Sequence, residues 1–154
     1  MPVNSNIVIP DTSCLILLNK IDELGLLKRL AGRICTTSII QKEFGGDFPA
    51  WIEIIDPTDK NYQAILEMDL DAGEASTIAL ALEIKNGILL IDDLKGRKIA
   101  QKLNLKFSGT FGLILKVKQA DVIKSVRPIL DKIRLTNFRF SEDLFDTIIK
   151  EAKE

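Results

Sequence analysis

Residues 71–93 read DAGEASTIALALEIKNGILLIDD, and this stretch decides the fold. Ala75, Ile78, Ala79, Ala81 and Leu82 give a helix spanning Asp71 to Lys85 a wide apolar face. Gly87 breaks that helix. Ile88 to Ile91 follows as an unbroken apolar run of strand length, ended by Asp92 and Asp93. A run without polar alternation belongs to a strand covered on both faces. The pattern recurs outward from there. Asn6 to Pro10 is another buried strand, ended by Asp11, and Arg33 to Thr36 is a third. Trp51 to Ile55 and Leu105 to Phe107 are further short strands. Between the strands, periodicity predicts helices over Cys14 to Asn19, with Thr12 or Ser13 as cap, and over Asp22 to Ala31. More are expected from Thr37 or Ser38 to Glu43, Asp59 to Met68, Lys95 to Leu103, Thr110 to Gln119, Val122 to Leu135 and Ser141 to Ala152. Strands alternating with helices predict an α/β fold with a parallel sheet, and sites in such sheets form beyond the carboxyl ends of the strands.

The chain has 154 residues, with 21 Lys+Arg, 22 Asp+Glu and no His. The missing imidazole excludes Ser-His-Asp and Cys-His catalysis, His-bound zinc and a His acid/base pair. Any general base is then a carboxylate, a lysine or a water on a metal. A net charge of −1 exerts no global pull on nucleic acid, so binding RNA requires a local basic patch. Cys14 and Cys35 form no metal-binding pair and sit among apolar residues, which fits buried thiols in a reducing cytoplasm. Met1 to Pro10 lacks the pattern of a signal peptide, and no apolar run is long enough to span a membrane. The expectation is a single domain over 1–154, with 122–154 as a helical extension packed on it.

The carboxylates fall in a pattern. Asp11 and the pair Asp92-Asp93 each follow a strand, and they meet at one sheet edge if those strands are parallel neighbours. Glu43 and Glu74 fall on the apolar stripes of their helices, where a carboxylate is costly unless paired or bound to a cation. Clustered acids repel one another until a divalent ion neutralises them, and a hard cation such as Mg²⁺ or Mn²⁺ suits an oxygen-only site.

Asp11-Thr-Ser13 after a strand, Ser38-x4-Glu43, Gly73-Glu74-Ala75 opening a helix and Ile91-Asp-Asp93 after a strand together resemble the PIN domain. Gly96-Arg97-x-x-Ala100 and Ser108-Gly-Thr110-x-Gly112 resemble its VapC-related branch, DUF3368. The resemblance runs from about Ile7 onward. It implies a three-layer α/β/α sandwich around a parallel sheet of four to five strands. It also implies a Mg²⁺- or Mn²⁺-dependent ribonuclease, often the toxin of a VapBC-like pair. Carried over residue by residue, Asp11, Glu43, Glu74 and Asp93 match the four family acids, with Asp11, Glu74, Asp93 and its neighbour Asp92 as metal ligands. Ser13 matches the hydroxyl that steadies the first acid. A metal would acidify its water and neutralise charge on the phosphodiester. The implied partners are RNA, a small antitoxin protein and a second copy of the chain.

Plainer roles compete. Asp11 is also a helix N-cap candidate, and Asp71-Ala-Gly-Glu74 is a capping-box pattern. Glu43 can snorkel from a short helix. One of Asp92 and Asp93 caps the next helix, leaving the other free for a cation. Lys95, Arg97 and Lys98 are either a solvated face or a hold on the RNA backbone, and Thr110 either caps its helix or supports the site. Phe44, Phe48 and Trp51 read as core or dimer contact. A catalytically silent PIN domain used as a protein- or RNA-binding module is the alternative function. A dehalogenase-type phosphatase would need Asp-x-Asp, and Ser13 stands where the second acid belongs.

Overall fold

A computed structural model describes residues 6–154. Met1 to Ser5, the start of the segment read as lacking a signal peptide, lie outside the described residues. The elements follow in the order β1 (Ile7–Pro10), α1 (Thr12–Lys20), α2 (Gly25–Leu30), β2 (Arg33–Thr36), α3 (Ser38–Phe44), β3 (Ile52–Ile54) and α4 (Lys60–Leu66). Then come α5 (Ala72–Glu83), β4 (Gly87–Leu90), α6 (Leu94–Lys102), β5 (Phe107–Ser108), α7 (Thr110–Gln119), α8 (Arg127–Arg134) and α9 (Glu142–Glu151). The strands form one five-stranded sheet in the order β3-β2-β1-β4-β5, with every pair parallel. Helices cover both faces, as a three-layer α/β/α sandwich requires.

Alternation along the strands divides the core. Val8 and Leu90 face a large cluster built with Leu15, Leu18, Leu27, Ile114, Leu130 and Ile148 from α1, α2, α7, α8 and α9. Ile9, Leu89 and Ile91 face the other way, against Ile78 and Leu80 of α5, Leu66 of α4 and Ala100 of α6. The stripe Ile129, Leu130 and Ile133 of α8 and Ile148 and Ile149 of α9 thus joins the same apolar cluster as α1. Among the described residues no helix is long and apolar enough to cross a membrane.

Three helix starts differ from the sequence expectation. Asp22 does not open α2: its φ is +59°, and the helix begins at Gly25 with Leu24 at the cap position. A left-handed Asp is a turn residue, so the predicted cap ends the preceding helix instead. The helix expected from Val122 forms only from Arg127, because Asp121 is also left-handed (φ +58°) and Glu154 takes up the Val126 N–H at 2.8 Å. Thr12 and Ser13 lie inside α1, whose N-cap position is Asp11.

Candidate functional site

Register creates the site. β1 pairs with β4 so that Pro10 stands opposite Leu90, which delivers Asp11 and the segment Ile91-Asp92-Asp93 to the same sheet edge. The Asp11 backbone N–H bonds to the Leu90 carbonyl at 2.9 Å, fixing where its side chain emerges. At this edge lies a cleft of about 450 Å³ lined by Asp11, Thr12, Ser13, Glu43, Asp71, Glu74 and Asp93. Four of the expected acids therefore share one cleft, and a fifth, Asp71, joins them.

Asp11 sits at the α1 N-cap but makes no capping hydrogen bond with its side chain. It is 6% exposed. Burial, reinforced by the charges of Asp71, Glu43 and Asp92, lifts its carboxyl from the ordinary 3.8 to about 6, against an opposing hydrogen bond from the Thr12 backbone. Its negative charge is thus held in an expensive place without serving the helix.

Glu43 is exposed on α3, whose buried residue is Ile40, so it does not lie on an inward stripe as its spacing suggested. It folds sideways over α5. Thr12 donates to Glu43 Oε1 at 2.6 Å. The carboxylate lies on Gly73, where a Cβ would collide with it. Gly45 ends α3 just beyond, in the left-handed conformation (φ +77°) that favours glycine.

Glu74 enters from the first turn of α5. Asp71 caps that helix by accepting from the Glu74 N–H at 2.8 Å. Half of a capping box is therefore formed, but Glu74 does not complete it. Its Oε2 is buried without a hydrogen-bond partner and lies over Gly96 of α6, 3.2 Å from where a Cβ would stand. Burial, together with Asp71 and Asp93, pushes the Glu74 carboxyl up to about 9. Two glycines thus form seats for two carboxylates.

The paired aspartates divide their work. Asp93 caps α6, accepting from Gly96 N at 2.9 Å, and this bond holds its carboxyl below the usual range. It still lines the cleft. Asp92 accepts from Thr110 N at 2.9 Å and Thr110 Oγ1 at 2.6 Å and does not line the cleft. The residue that caps is therefore the one facing the acids, and the other is tied to the start of α7. Thr110 is fully buried in that contact. Ser13 lines the cleft, exposed and without a hydrogen bond to Asp11, and Thr12 supplies the hydroxyl contact to an acid. Arg97 turns inward. Its Nε donates to the Ile91 carbonyl at 2.8 Å and its guanidinium lies 5.7 Å from the Phe107 ring, whereas Lys95 and Lys98 are exposed.

Asp71 and Thr12 were legible only as helix-start residues. No periodicity marks either as part of a site, since both reach it through α5 and α1 ends that the tertiary fold brings together. The donor set fits a hard divalent cation: oxygens only, one of them buried and unpartnered, with two carboxyls displaced upward by burial and by neighbouring acids. Among the described residues, no group of three acidic or cysteine side chains is arranged to hold an ion as it stands.

A family model described as PIN domain, DUF3368, matches residues 7–154. No curated protein matches the chain.

Proposed function

The chain belongs to the PIN domain family, whose members are generally nucleases, and from that premise we propose that it is a metal-dependent endoribonuclease. The observation that carries this reading is the cleft of acids around the unpartnered Glu74 Oε2. A bound Mg²⁺ or Mn²⁺ supplies a Lewis acid and an acidified water. The chain's residues do the rest. Asp11, Glu74 and Asp93 would hold the cation, and Glu43, seated on Gly73 and tied to Thr12, would complete the acidic rim. Asp71 adds negative charge beside Asp11 and Glu74. Asp92 positions α7 through Thr110, and Ser13 is available at the cleft wall. Without a cation these acids would repel a phosphodiester, and a bound cation would match part of their charge.

The resemblance to the VapC-related branch supports a toxin role, with a small antitoxin as protein partner and a cytoplasmic homodimer as the working form. Chelator-washed protein is the test. RNA cleavage that returns with Mg²⁺ or Mn²⁺ and is lost in Asp11→Asn supports the reading, and no cation-dependent cleavage by the wild type ends it. A catalytically silent binding module is the second reading, favoured by the absence of a ready three-acid group among the described residues. Metal binding without cleavage selects it.

A further inference from the structure

Charge is segregated along this nearly neutral chain. Leu94 to Ala120 carries Lys95, Arg97, Lys98, Lys102, Lys106, Lys116 and Lys118, seven of the 21 basic residues, and none of the 22 acids. The structure sorts these seven, with Lys116 exposed on α7, apart from the α6 lysines. Arg97 is turned inward onto Ile91 and Phe107, and Lys118 is paired with Glu154 at 3.0 Å. Lys95, Lys98 and Lys102 remain exposed on α6, and among the described residues none of them forms a salt bridge. Their spacing of three and four residues puts them on one face of the helix. The helix starts at the cleft, because its cap Asp93 lines it; Lys95 is near enough to Asp93 to help hold that carboxyl down, and Lys102 lies about 10 Å farther along the axis. Lys106 is exposed just before β5.

A row of unpaired lysines leading away from an acidic cleft suits a flexible polyanion whose one phosphate must enter that cleft. Single-stranded RNA fits this better than duplex, since a flexible strand can run from the cleft onto the surface of α6. Contacts from lysine ammoniums to phosphates carry no base information. No exposed aromatic residue lies on α6 to stack a base.

We propose that Lys95, Lys98 and Lys102 form a track on α6 that binds the backbone of single-stranded RNA, without sequence preference, beside the acidic cleft. The proposal rests on the reading of that cleft as a nuclease site, and it adds the path of the substrate. It assigns Lys102 a part in binding and gives Arg97 a structural one.

The test is fluorescence anisotropy with a labelled uridine dodecamer, over a range of salt concentrations in EDTA. The chain is compared with the Lys95→Gln/Lys98→Gln/Lys102→Gln variant. The salt slope of log K should fall by about 2, at roughly 0.7 per lost phosphate contact on a single strand. A control with Lys28→Gln/Lys124→Gln/Lys150→Gln, exposed elsewhere, should keep the wild-type slope. An adenosine dodecamer should give the same loss as uridine. An unchanged slope in the α6 variant, an equal loss in the control, or a loss seen only with duplex RNA overturns the proposal. Cation-dependent cleavage by the wild type is scored separately. A lost slope without cleavage keeps the track and ends the nuclease reading, and cleavage with an unchanged slope does the reverse.

Discussion

Asp11 shows how one side chain sets both a cost and a use. Its carboxyl is raised from 3.8 to about 6, so the folded state keeps a proton that the unfolded chain releases. That contribution to stability is present below the lower value and is lost as pH rises through the higher one. In metal-free protein the loss is at most about 3 kcal/mol. Asp11→Asn removes the charge and retains the shape. Thermal melts in EDTA should show the variant more stable than wild type at pH 8, with the difference shrinking toward pH 4. The same variant should lose cation-dependent cleavage by about 100-fold or more. A variant less stable than wild type at pH 8 refutes the assignment of Asp11 as a strained charge. The sequence marked Asp11 well, because a polar residue after a buried strand has few places to go. It marked Glu43 less well: helical spacing placed that residue inward, but a short helix ending at Gly45 lets a long side chain reach sideways over Gly73.

At the level of elements, the glycines at 73 and 96 matter more than their helices suggest. Each lies within the first turn of its helix, where it is a weak helix former. Gly73→Ala should therefore help the α5 backbone by about 1 kcal/mol. The new methyl group would occupy the seat of the Glu43 carboxylate, a flexible end that can move away at small cost. The expected outcome is a melting temperature equal to or above wild type, with reduced cleavage as Glu43 leaves Thr12. A stable Gly73→Ala variant with full cleavage would show that Glu43 does not need that seat. The elements themselves were largely legible: apolar runs located β1 and β4 at the centre of the sheet, where burial leaves a plain trace in composition, whereas the half-buried β5, expected over Leu105 to Phe107, forms at Phe107–Ser108. Helix ends were less so. Asp22 and Asp121 look like start signals or mid-loop residues in sequence, and only the local φ, set by how the chain turns back on the core, shows that they terminate what comes before. The division between Asp92 and Asp93 was also hidden, because it depends on Thr110, eighteen residues away.

Across the whole molecule, residues distant in sequence are tied by a few polar contacts as well as by the core. Glu154 is the clearest case. It accepts from Ser125 Oγ, from Val126 N at 2.8 Å and from Lys118 Nζ at 3.0 Å, joining the end of α9 to the turn before α8 and to α7. These partners hold its carboxyl down to about 2, so its contribution persists above the ordinary carboxylate range and is lost only as pH falls toward 2. Glu154→Ala should destabilise the protein by about 1–3 kcal/mol, by leaving donors unpaired. Calorimetry at pH 7 should record a melting temperature lower by roughly 3–10 °C, and no change would show that the apolar faces of α8 and α9 suffice. The strand order has a consequence in time. β1 lies between β2 and β4, so the strand made first waits for a neighbour that is synthesised only after α1 to α5. On a translating ribosome that adds about 5–20 residues each second, Asp11 and Glu43 emerge seconds before Asp93 can stand beside them. The acidic cleft therefore comes together only once most of the chain has been made.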